Sequence, residues 1–396
     1  MVALTSLYVH IPFCERKCLY CDFYSVAQSK ALEDFLAALS REIRLRRDHL
    51  GGSPCGTIFF GGGTPSLLAP RQIESILTRL YETFPIAPDA EVTLEANPGT
   101  VTPGLLRAVR ALGVNRLSVG VQSFRDRDLA VLGRLHDGAE ALRCVAWARQ
   151  AGFDNVGLDL IYAIPGQTVS QWEGTLRIAA DLAPQHIAAY SLAVEDGTRF
   201  ARLVERGEIR TAPVEVEARM YERTMEILDA RGYDHYEVSN YALPGFRCRH
   251  NRAYWTHEDY LGFGPAAHSF RARADGTRAR RWWNVADLPA YIGLLDRGLL
   301  PVASEERLDD RDSIRERILL GLRSGGIDLV RLRDDLGYDL DARQAETIRW
   351  MADGALAIRD GRTLRLTPRG YALCDEICGR LCRDTHFGRE PRPPIE

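Results

Sequence analysis

Three cysteines near the start of the chain are spaced as ligands of one shared metal centre. Cys14, Cys18 and Cys21 follow the pattern C-x3-C-x2-C, in a loop that leaves an apolar segment predicted to be the first strand. A loop this short can wrap its thiolates around one [4Fe–4S] cubane, with the fourth iron left open to a small molecule. S-adenosylmethionine (SAM) can chelate that iron through its amino and carboxylate groups, and an injected electron then cleaves a C–S bond to give a 5′-deoxyadenosyl radical.

Two other interpretations of these cysteines stay open on the spacing alone. A structural zinc ion prefers four ligands, usually from C-x2-C pairs, and His10 on the predicted strand is poorly placed as the fourth. The three thiols can also be buried small side chains without a ligand. The spacing favours the cluster because it is specific for so short a motif.

A glycine-rich turn and four polar residues follow the later predicted strands. Residues 61–65 (GGGTP) end the second strand, and glycines let a backbone approach a ligand without a Cβ clash. There is no Gly-Lys-Ser/Thr sequence, which excludes a P-loop. An arginine can grip a carboxylate, while carboxylate and amide groups can bind hydroxyls. The four polar residues are Glu95, Gln122, Arg134 and Asp159. Taken singly, a residue of this kind more often forms a surface ion pair, or is hydrogen-bonded at the end of a strand without binding a ligand.

Asp159 has a further requirement of its own. It lies within an apolar segment, and a carboxylate withdrawn from water without a partner is costly. The sequence therefore predicts that another polar group contacts Asp159.

Predicted strands and helices alternate regularly through the first half of the chain, and these elements must position the residues named above. Such an alternation implies parallel strands with right-handed crossovers. Six units without a Rossmann fingerprint predict an α/β fold, a partial (β/α)6 TIM-like barrel whose reactive ends are the loops after the strands. The predicted strands are 6–13, 57–61, 91–96, 116–121, 155–162 and 186–194, and the helices between them are 31–47, 71–83, 103–111, 138–150 and 170–182.

The second half of the chain has a different pattern. A helix at 213–231 precedes an aromatic-rich stretch at 233–255 and a glycine-rich segment at 262–264. Helices at 311–323, 327–336 and 342–354, a hairpin with an Asp360-Gly361 turn and a final helix at 368–383 predict a smaller α-rich, winged-helix-like C-terminal domain. We expect a barrel in 1–210, a barrel extension in 211–304, this small domain in 305–385 and a disordered tail in 386–396.

Composition narrows the functional classes. The chain has 396 residues, of which 45% are hydrophobic and 27% charged, as in an ordinary globular protein. Its net charge of −3 gives no bulk attraction to nucleic acid. It has no apolar run of about 18 residues and no signal peptide, so we expect a cytoplasmic protein. Thiols stay reduced there, which favours metal ligands or buried side chains over disulfides for the nine cysteines.

The motifs together resemble the radical SAM superfamily. The three cysteines with an aromatic residue at Tyr20 match its signature, and residues 10–14 (HIPFC), 61–65, 95–99 (EANPG) and 120–124 (GVQSF) resemble the coproporphyrinogen dehydrogenase-like branch. The resemblance runs from about residue 6 to 385. It implies cluster ligation by the three cysteines and SAM binding by Tyr8, Gly62, Gly63, Thr64, Glu95, Gln122, Arg134 and Asp159.

This branch contains two kinds of protein, dehydrogenases and haem chaperones, and each gives a hypothesis for the function of this chain. The oxygen-independent coproporphyrinogen III dehydrogenases carry a further cysteine where this chain has Phe23. They also carry an N-terminal extension, whereas here the predicted first strand begins almost at the first residue. Residues 248–255 (CRHNRAYW) resemble the HNxxYW motif of the haem chaperones, and residues 22–25 (DFYS) are also similar to that family. We therefore expect a chaperone that binds haem and transfers it to apo-haemoproteins, with the dehydrogenase as the alternative.

The HNxxYW stretch suits haem for a physical reason. A neutral imidazole is a common axial ligand of haem iron, and flat aromatic rings pack on a porphyrin face. His250 is the candidate ligand; Cys248 reaches the same iron only if the chain turns suitably, and His268 is a second possible ligand or a pocket wall. The alternative is a core histidine hydrogen-bonded within an aromatic cluster. The resemblance implies as partners haem, apo-haemoproteins including those at the membrane face, and a flavodoxin- or ferredoxin-type reductant.

The remaining cysteines are predicted to be structural. Cys374, Cys378 and Cys382 repeat every four residues and share one face of the final helix. One helix face cannot surround a metal ion, which favours buried small hydrophobic side chains over a second metal site or a redox set. Cys55 and Cys144 are predicted to be core residues.

Overall fold

A twelve-stranded sheet organises most of the protein in the computed structural model, which describes residues 4–27, 30–272 and 278–383. The strands are β1 (Thr5–Ile11), β2 (Phe13–Cys14), β3 (Val26–Ala27), β4 (Cys55–Gly62), β5 (Ile86–Ala96), β6 (Arg116–Gln122), β7 (Val156–Tyr162), β8 (His186–Ser191), β9 (Asp234–His235), β10 (Asn240–Ala242), β11 (Tyr260–Phe263), β12 (His268–Arg271), β13 (Arg280–Asn284), β14 (Val302–Arg307), β15 (Ile327–Asp328), β16 (Ala357–Asp360) and β17 (Thr363–Leu366). The large sheet has the order β14-β13-β12-β11-β1-β4-β5-β6-β7-β8-β10-β9.

Helices connect these strands and cover the sheet. Among the described residues, none of them combines the length and apolarity that crossing a bilayer requires. They are α1 (Leu32–Leu45), α2 (Pro70–Thr83), α3 (Pro103–Ala111), α4 (Asp126–Leu132), α5 (Gly138–Gln150), α6 (Val169–Asp181), α7 (Arg199–Glu205), α8 (Val214–Asp229), α9 (Arg249–Trp255), α10 (Leu288–Asp296), α11 (Asp310–Leu322), α12 (Leu329–Leu336), α13 (Leu340–Arg343), α14 (Ala345–Asp353), α15 (Pro368–Tyr371) and α16 (Cys374–Leu381).

The strands β1, β4, β5, β6, β7 and β8 are parallel neighbours, each followed by helix. This confirms the predicted partial (β/α)6 TIM-like barrel. Residues Leu7, Val9 and Ile11 of β1 are fully buried in the main hydrophobic core, which also includes Phe35 and Leu39 of α1. Because side chains alternate along a strand, the residues between them face the other side of the sheet, the barrel interior.

The barrel interior is polar. The inward positions of β5 are Glu91, Thr93 and Glu95, and those at the start of β6 are Arg116 and Ser118. Four of these five are buried, and Glu95 is half-buried. Charged groups in such a place need partners or a function, so the interior is where the site is to be sought.

The sheet continues beyond the predicted barrel. β11 adds a seventh parallel strand beside β1, with Tyr8 opposite Gly262, and β12, β13 and β14 follow in antiparallel order. The sequence predicts only an aromatic-rich and a glycine-rich stretch in this region, so these strands were not predicted. The reason is that β11 has four residues and pairs with a strand about 250 positions earlier, which local patterns do not reveal.

The C-terminal region is α-rich and winged-helix-like, as predicted. Helices α11, α12 and α14 accompany a small sheet of order β15-β17-β16, in which β16 and β17 form the expected hairpin. Two predicted helices are corrected. Residues 327–328 form strand β15 because Ile327 pairs with Leu364, and the helix predicted at 368–383 is divided into α15 and α16. The domain boundaries stay predictions, and the predicted tail at 386–396 lies outside the described residues.

A fully buried ion pair joins the barrel to its extension. Arg46 donates from Nε to Glu42 Oε1 at 2.8 Å and from Nη2 to Asn284 Oδ1 at 2.9 Å. The same glutamate accepts from the Tyr291 hydroxyl at 2.7 Å and from the Gly264 backbone N–H at 2.9 Å. The network therefore fastens α1 to β13, to α10 and to the chain after β11.

We predict that Arg46→Met lowers the free energy of unfolding by about 3–5 kcal/mol, because it leaves the Glu42 carboxylate buried without its cation. The matched control is Arg219→Met, which breaks an exposed pair with Glu222 and should cost less than about 1 kcal/mol. Urea unfolding followed by circular dichroism measures both. Equal small losses in the two variants would contradict the role given to the buried pair.

Candidate functional site

The three predicted cluster ligands lie at the carboxyl-terminal edge of the parallel strands, here called the barrel mouth. Cys14 ends β2 and is buried, while Cys18 and Cys21 are half-buried in the following loop (residues 15–25, the cysteine loop). Arg16 donates to the carbonyl of Gly133 at 2.8 Å. The backbone N–H of Leu19 donates to Leu132 at 3.3 Å. The loop is thus fastened to the segment that follows β6 and α4.

Donor groups point at two of the cysteine sulfurs. The Thr64 hydroxyl donates to Cys14 Sγ at 3.5 Å, and Arg134 Nη1 donates to Cys18 Sγ at 3.4 Å. Both contacts place a hydrogen-bond donor from another segment beside a sulfur that would ligate iron. Burial raises the pKa of Cys21 to about 11, with the neighbouring Cys18 and Cys14 acting in the same direction. Bound iron ions would supply the positive charge that three neighbouring thiolates need.

The arrangement fits a cubane better than a single ion. Within the part of the chain that the structure describes, no three His, Cys, Asp or Glu side chains converge closely enough to hold one metal ion. A cubane takes each thiolate at a different iron, so its ligands surround a volume instead of converging on a point. A cleft beside Cys18 is lined by Thr64, Asn97 and Arg134. Asn97 Oδ1 and Arg134 Nε are buried there without a hydrogen-bond partner in the described residues, which suits a polar ligand.

The glycine-rich turn packs against the strand that leads to the cysteines. Gly62 has a φ of +105°, and a Cβ there would meet the His10 ring at 2.6 Å. A Cβ on Gly63 would meet the Phe13 carbonyl oxygen at 2.6 Å, and the Gly63 N–H donates to Ile11 O at 2.8 Å. The glycines therefore let this turn lie directly against β1 and β2, which sets the position of Thr64 beside Cys14.

Two predicted carboxylates line the barrel mouth with different charge preferences. Burial and, to a smaller extent, the nearby Asp159 together raise the pKa of Glu95 to about 8, against the Gly62 N–H and Arg116, which lower it. Burial raises the pKa of Asp159 to about 6, opposed by Arg116 and by Ser118. The Ser118 hydroxyl donates to Asp159 at 3.1 Å, which supplies the partner that the sequence predicted.

The other predicted SAM residues border the same mouth. Gln122 ends β6 in a left-handed conformation with a φ of +63°, and is buried. Gly120 leaves room for it, because a Cβ there would meet Gln122 Nε2 at 2.9 Å. Arg134 Nη2 donates to the Gly120 carbonyl at 2.9 Å. The Tyr8 hydroxyl lies 3.2 Å from His10 Nδ1 and is electrostatically coupled to Glu95.

Two interior residues that contact or act on Asp159, Arg116 and Ser118, were not predicted as site residues from the sequence. Both were placed within a predicted strand, but neither was singled out. The available signal was the alternation of Arg116, Ser118 and Gly120 with apolar residues, which gives β6 one polar face.

His250 is a fully hydrogen-bonded core residue in this structure. Its Nδ1 lies 2.7 Å from Thr57 Oγ1 and its Nε2 lies 2.8 Å from the Tyr254 hydroxyl. The ring stacks on Phe59 with centroids 4.8 Å apart, and burial lowers its pKa to about 3. This geometry matches the core-histidine alternative, because both ring nitrogens are engaged. Cys248 lies beside Glu91 instead, with Sγ at 3.5 Å from Oε1.

His268 and His250 have different contacts. It is exposed on β12 and stacks on Trp283 with centroids 5.6 Å apart. The structure therefore does not bring the two candidate haem ligands into one hydrogen-bonded group.

The other cysteines are buried, as predicted. Cys374, Cys378 and Cys382 all face the C-terminal core, and the first two sulfurs lie 3.9 Å apart. Cys55 and Cys144 are fully enclosed.

Comparisons with known proteins place the chain in a family. Family models for the radical SAM superfamily and the HemN C-terminal domain match residues 8–179 and 308–373. The chain is 35% identical to the heme chaperone HemW of Bacillus subtilis, over 95% of this chain and 98% of that protein. It is 38% identical to HemW of Mycobacterium tuberculosis, over 95% and 94% of the two chains.

A solved structure shares the whole architecture. It is coproporphyrinogen III oxidase (HemN) from Escherichia coli, described as a radical SAM enzyme, with a TM-score of 0.80 and 25% identity. The alignment covers 96% of this chain and 91% of that one. Fold and site thus define a radical SAM protein with a HemN-type C-terminal domain, which implies a [4Fe–4S] cluster and SAM. Within that class, the chain belongs to the HemW family.

We predict that Glu95→Gln changes how stability depends on pH. The folded-state pKa of Glu95, about 8, lies above the ordinary value of 4.5, so the folded protein favours the protonated acid. Wild-type stability should therefore fall relative to the variant as pH rises from 4.5 to 8, by about 1 kcal/mol per pH unit. Urea unfolding at pH 5, 6.5 and 8 measures the difference. The exposed Glu74→Gln serves as control and should show a flat difference; a flat difference for Glu95→Gln would contradict the prediction.

Proposed function

We propose that the protein is a haem chaperone, which binds haem and transfers it to apo-haemoproteins. The observation that carries this proposal is the similarity to HemW proteins along nearly the whole chain, at 35% and 38% identity. The residue at position 23, Phe23, is consistent with the chaperone proposal. Where the dehydrogenase pattern has a further cysteine, Phe23 is 60% exposed at the end of the cysteine loop.

We propose that Cys14, Cys18 and Cys21 hold the cluster and that the barrel mouth holds SAM. The cluster would supply one-electron chemistry and an open iron for SAM. Arg134 can bind a carboxylate and Asp159 can accept from ribose hydroxyls. Thr64 and Arg134, which already touch two of the sulfurs, keep the two sites adjacent. The proposed SAM residues are Tyr8, Gly62, Gly63, Thr64, Glu95, Gln122, Arg134 and Asp159.

Exposed apolar side chains around the barrel mouth support binding of a flat apolar ligand. Phe23, Leu135, Tyr190 and Val194 each lie at or beyond the carboxyl end of a parallel strand and are exposed. Apolar and aromatic groups of this kind pack on a porphyrin face. We propose that haem first contacts the protein at this edge, whereas His250, which contacts Thr57 and Glu91 toward the opposite end of the barrel, engages the iron only after α9 moves.

His250 remains our proposed axial ligand, on the condition that α9 rearranges. Its Nε2 is bonded to the Tyr254 hydroxyl at 2.8 Å, so iron binding must first break that bond. A neutral imidazole is nevertheless available at neutral pH, because burial lowers the pKa of His250 to about 3.

The proposed partners follow from the same role. We propose that acceptors are apo-haemoproteins, including those at the membrane face, and that a flavodoxin- or ferredoxin-type protein reduces the cluster. The net charge of −3 gives no reason to propose nucleic acid as a partner.

We predict that anaerobic reconstitution of the wild type with iron and sulfide yields about four iron ions per chain. Cys18→Ser should lose most of this iron, because one cubane corner loses its thiolate. Cys144→Ala, which removes a buried thiol far from the loop in sequence, should retain it. Iron and sulfide analysis together with the visible spectrum measures the outcome. A Cys18→Ser protein with a full cluster would contradict the assignment.

We predict that haem titration, followed by the Soret band, distinguishes the histidines. His250→Ala should abolish the ligated spectrum, whereas His268→Ala should leave it unchanged. Tyr254→Phe should bind haem about five-fold more tightly, because one hydrogen bond of about 1 kcal/mol no longer has to be broken.

Two outcomes would overturn these assignments. A Soret band in His250→Ala that is unchanged from the wild type removes His250 from the haem site. Conversion of coproporphyrinogen III to a vinyl product, by the wild type with SAM and reductant, would replace the chaperone by the dehydrogenase that the HemN-like fold also accommodates.

A further inference from the structure

Arg116 occupies a place in the barrel that sequence patterns did not mark. It is the first residue of β6, is 1% exposed and faces the interior. Its Nη2 lies 3.3 Å from where a Cβ on Gly157 would stand. Gly157 is two positions before Asp159 on β7, and both face the interior. The missing side chain at 157 therefore leaves the space that the Arg116 guanidinium fills, directly below Asp159.

The guanidinium is a buried cation that depends on nearby carboxylates. Its Nε and Nη1 have no hydrogen-bond partner in the described residues. A buried charge is tolerated only where opposite charges compensate it. The charged and titratable groups that interact with it are Glu91 and Glu95 of β5, Asp159 of β7, Tyr236, Cys248, and the rings of His186 and His250.

Asp159 in turn faces few cations. Arg134 acts on it from the barrel mouth, but that guanidinium already donates to Cys18 Sγ and to the Gly120 carbonyl. Two carboxylates in one site repel, and Glu95 is electrostatically coupled to Asp159. The other groups around Asp159 are the Ser118 hydroxyl, at 3.1 Å, and the Tyr190 phenol. Arg116, which also interacts with Glu91 and Glu95, is thus the second buried cation that favours the ionised form of Asp159.

We propose that Arg116 is a positioning residue for SAM binding, which keeps Asp159 charged and in place beneath the SAM pocket. The inference rests on the proposed role of Asp159 in SAM binding. Arg116 does not itself reach the cofactor; it acts through Asp159. The two carboxyl groups of the site would then differ, with Asp159 kept as a charged acceptor while burial raises the pKa of Glu95, as in other carboxyl pairs whose environments differ.

The test measures SAM affinity by equilibrium dialysis on cluster-loaded protein, anaerobically, at pH 6.5, 7.5 and 8.5. Arg116→Met should weaken SAM binding at least ten-fold at pH 6.5, because the pKa of Asp159 rises and the carboxylate is lost. Much of the affinity should return at pH 8.5, where Asp159 ionises without the arginine. Arg116→Lys, which keeps the charge, should stay closer to the wild type at every pH. A loss that does not change with pH would overturn the inference.

A double-mutant cycle separates this inference from the proposed site. If Arg116 acts through Asp159, then Arg116→Met adds little to the loss already caused by Asp159→Asn. Fully additive losses, or no loss in Arg116→Met while Asp159→Asn binds weakly, overturn the role of Arg116 and leave the SAM site standing. Unchanged SAM affinity in Asp159→Asn instead overturns the proposed role of Asp159.

A milder variant keeps the inference testable if Arg116→Met does not fold. Gly157→Ala retains every charged group, and its Cβ presses on Arg116 Nη2 and on His186 Nδ1, both at 3.3 Å. It should weaken SAM binding several-fold at pH 6.5 and less at pH 8.5. Gly174→Ala on α6, where a Cβ meets nothing within 4 Å, is the matched control and should bind as the wild type does. Wild-type affinity in a folded Gly157→Ala protein would overturn the inference.

Discussion

The compensation of charge inside the barrel is the constraint on which the rest of the structure depends. Arg116 is buried and interacts with Glu91, Asp159 and Glu95, so acidic groups on the neighbouring strands compensate its charge. The strands that carry them are parallel neighbours, so the sheet order itself fixes their spacing. The outer faces of the same strands are apolar and held by helices. The free energy gained by packing the apolar outer face of the sheet offsets the cost of burying polar groups in the barrel interior.

The cysteine loop depends on that sheet for its position. It has little regular structure. Arg16 and Leu19 bond it to residues 132–133 after β6, while the glycine-rich turn after β4 bonds to Ile11 and Phe13, just before Cys14. Thr64 and Arg134 come from these two segments and reach one sulfur each. Strand β2 presents Cys14, and the loop can present Cys18 and Cys21 beside it reproducibly because rigid strands determine where its supports lie.

Sequence predicted the features that are encoded locally. Buried apolar strands alternate with amphipathic helices, so the partial barrel and its mouth followed from periodicity. The close cysteine spacing needed no tertiary information. Strands β11 to β14 were missed because their partners are distant in sequence. The state of His250 was undecidable for the same reason, since its partner Thr57 is 193 positions away. Arg116 went unnoticed because an arginine at a strand start has no pattern of its own.

The two ends of the barrel are joined through the same buried cation. Glu91 accepts from the backbone N–H groups of Arg249 and His250 at 3.2 and 3.1 Å, so it holds the start of α9 against the base of the barrel. Arg116 lies between this carboxylate and Asp159. Glu91 therefore interacts both with the start of α9 and with the guanidinium, and the guanidinium interacts with both carboxylates. The position of His250 and the charge at the SAM pocket therefore share one finite source of positive charge.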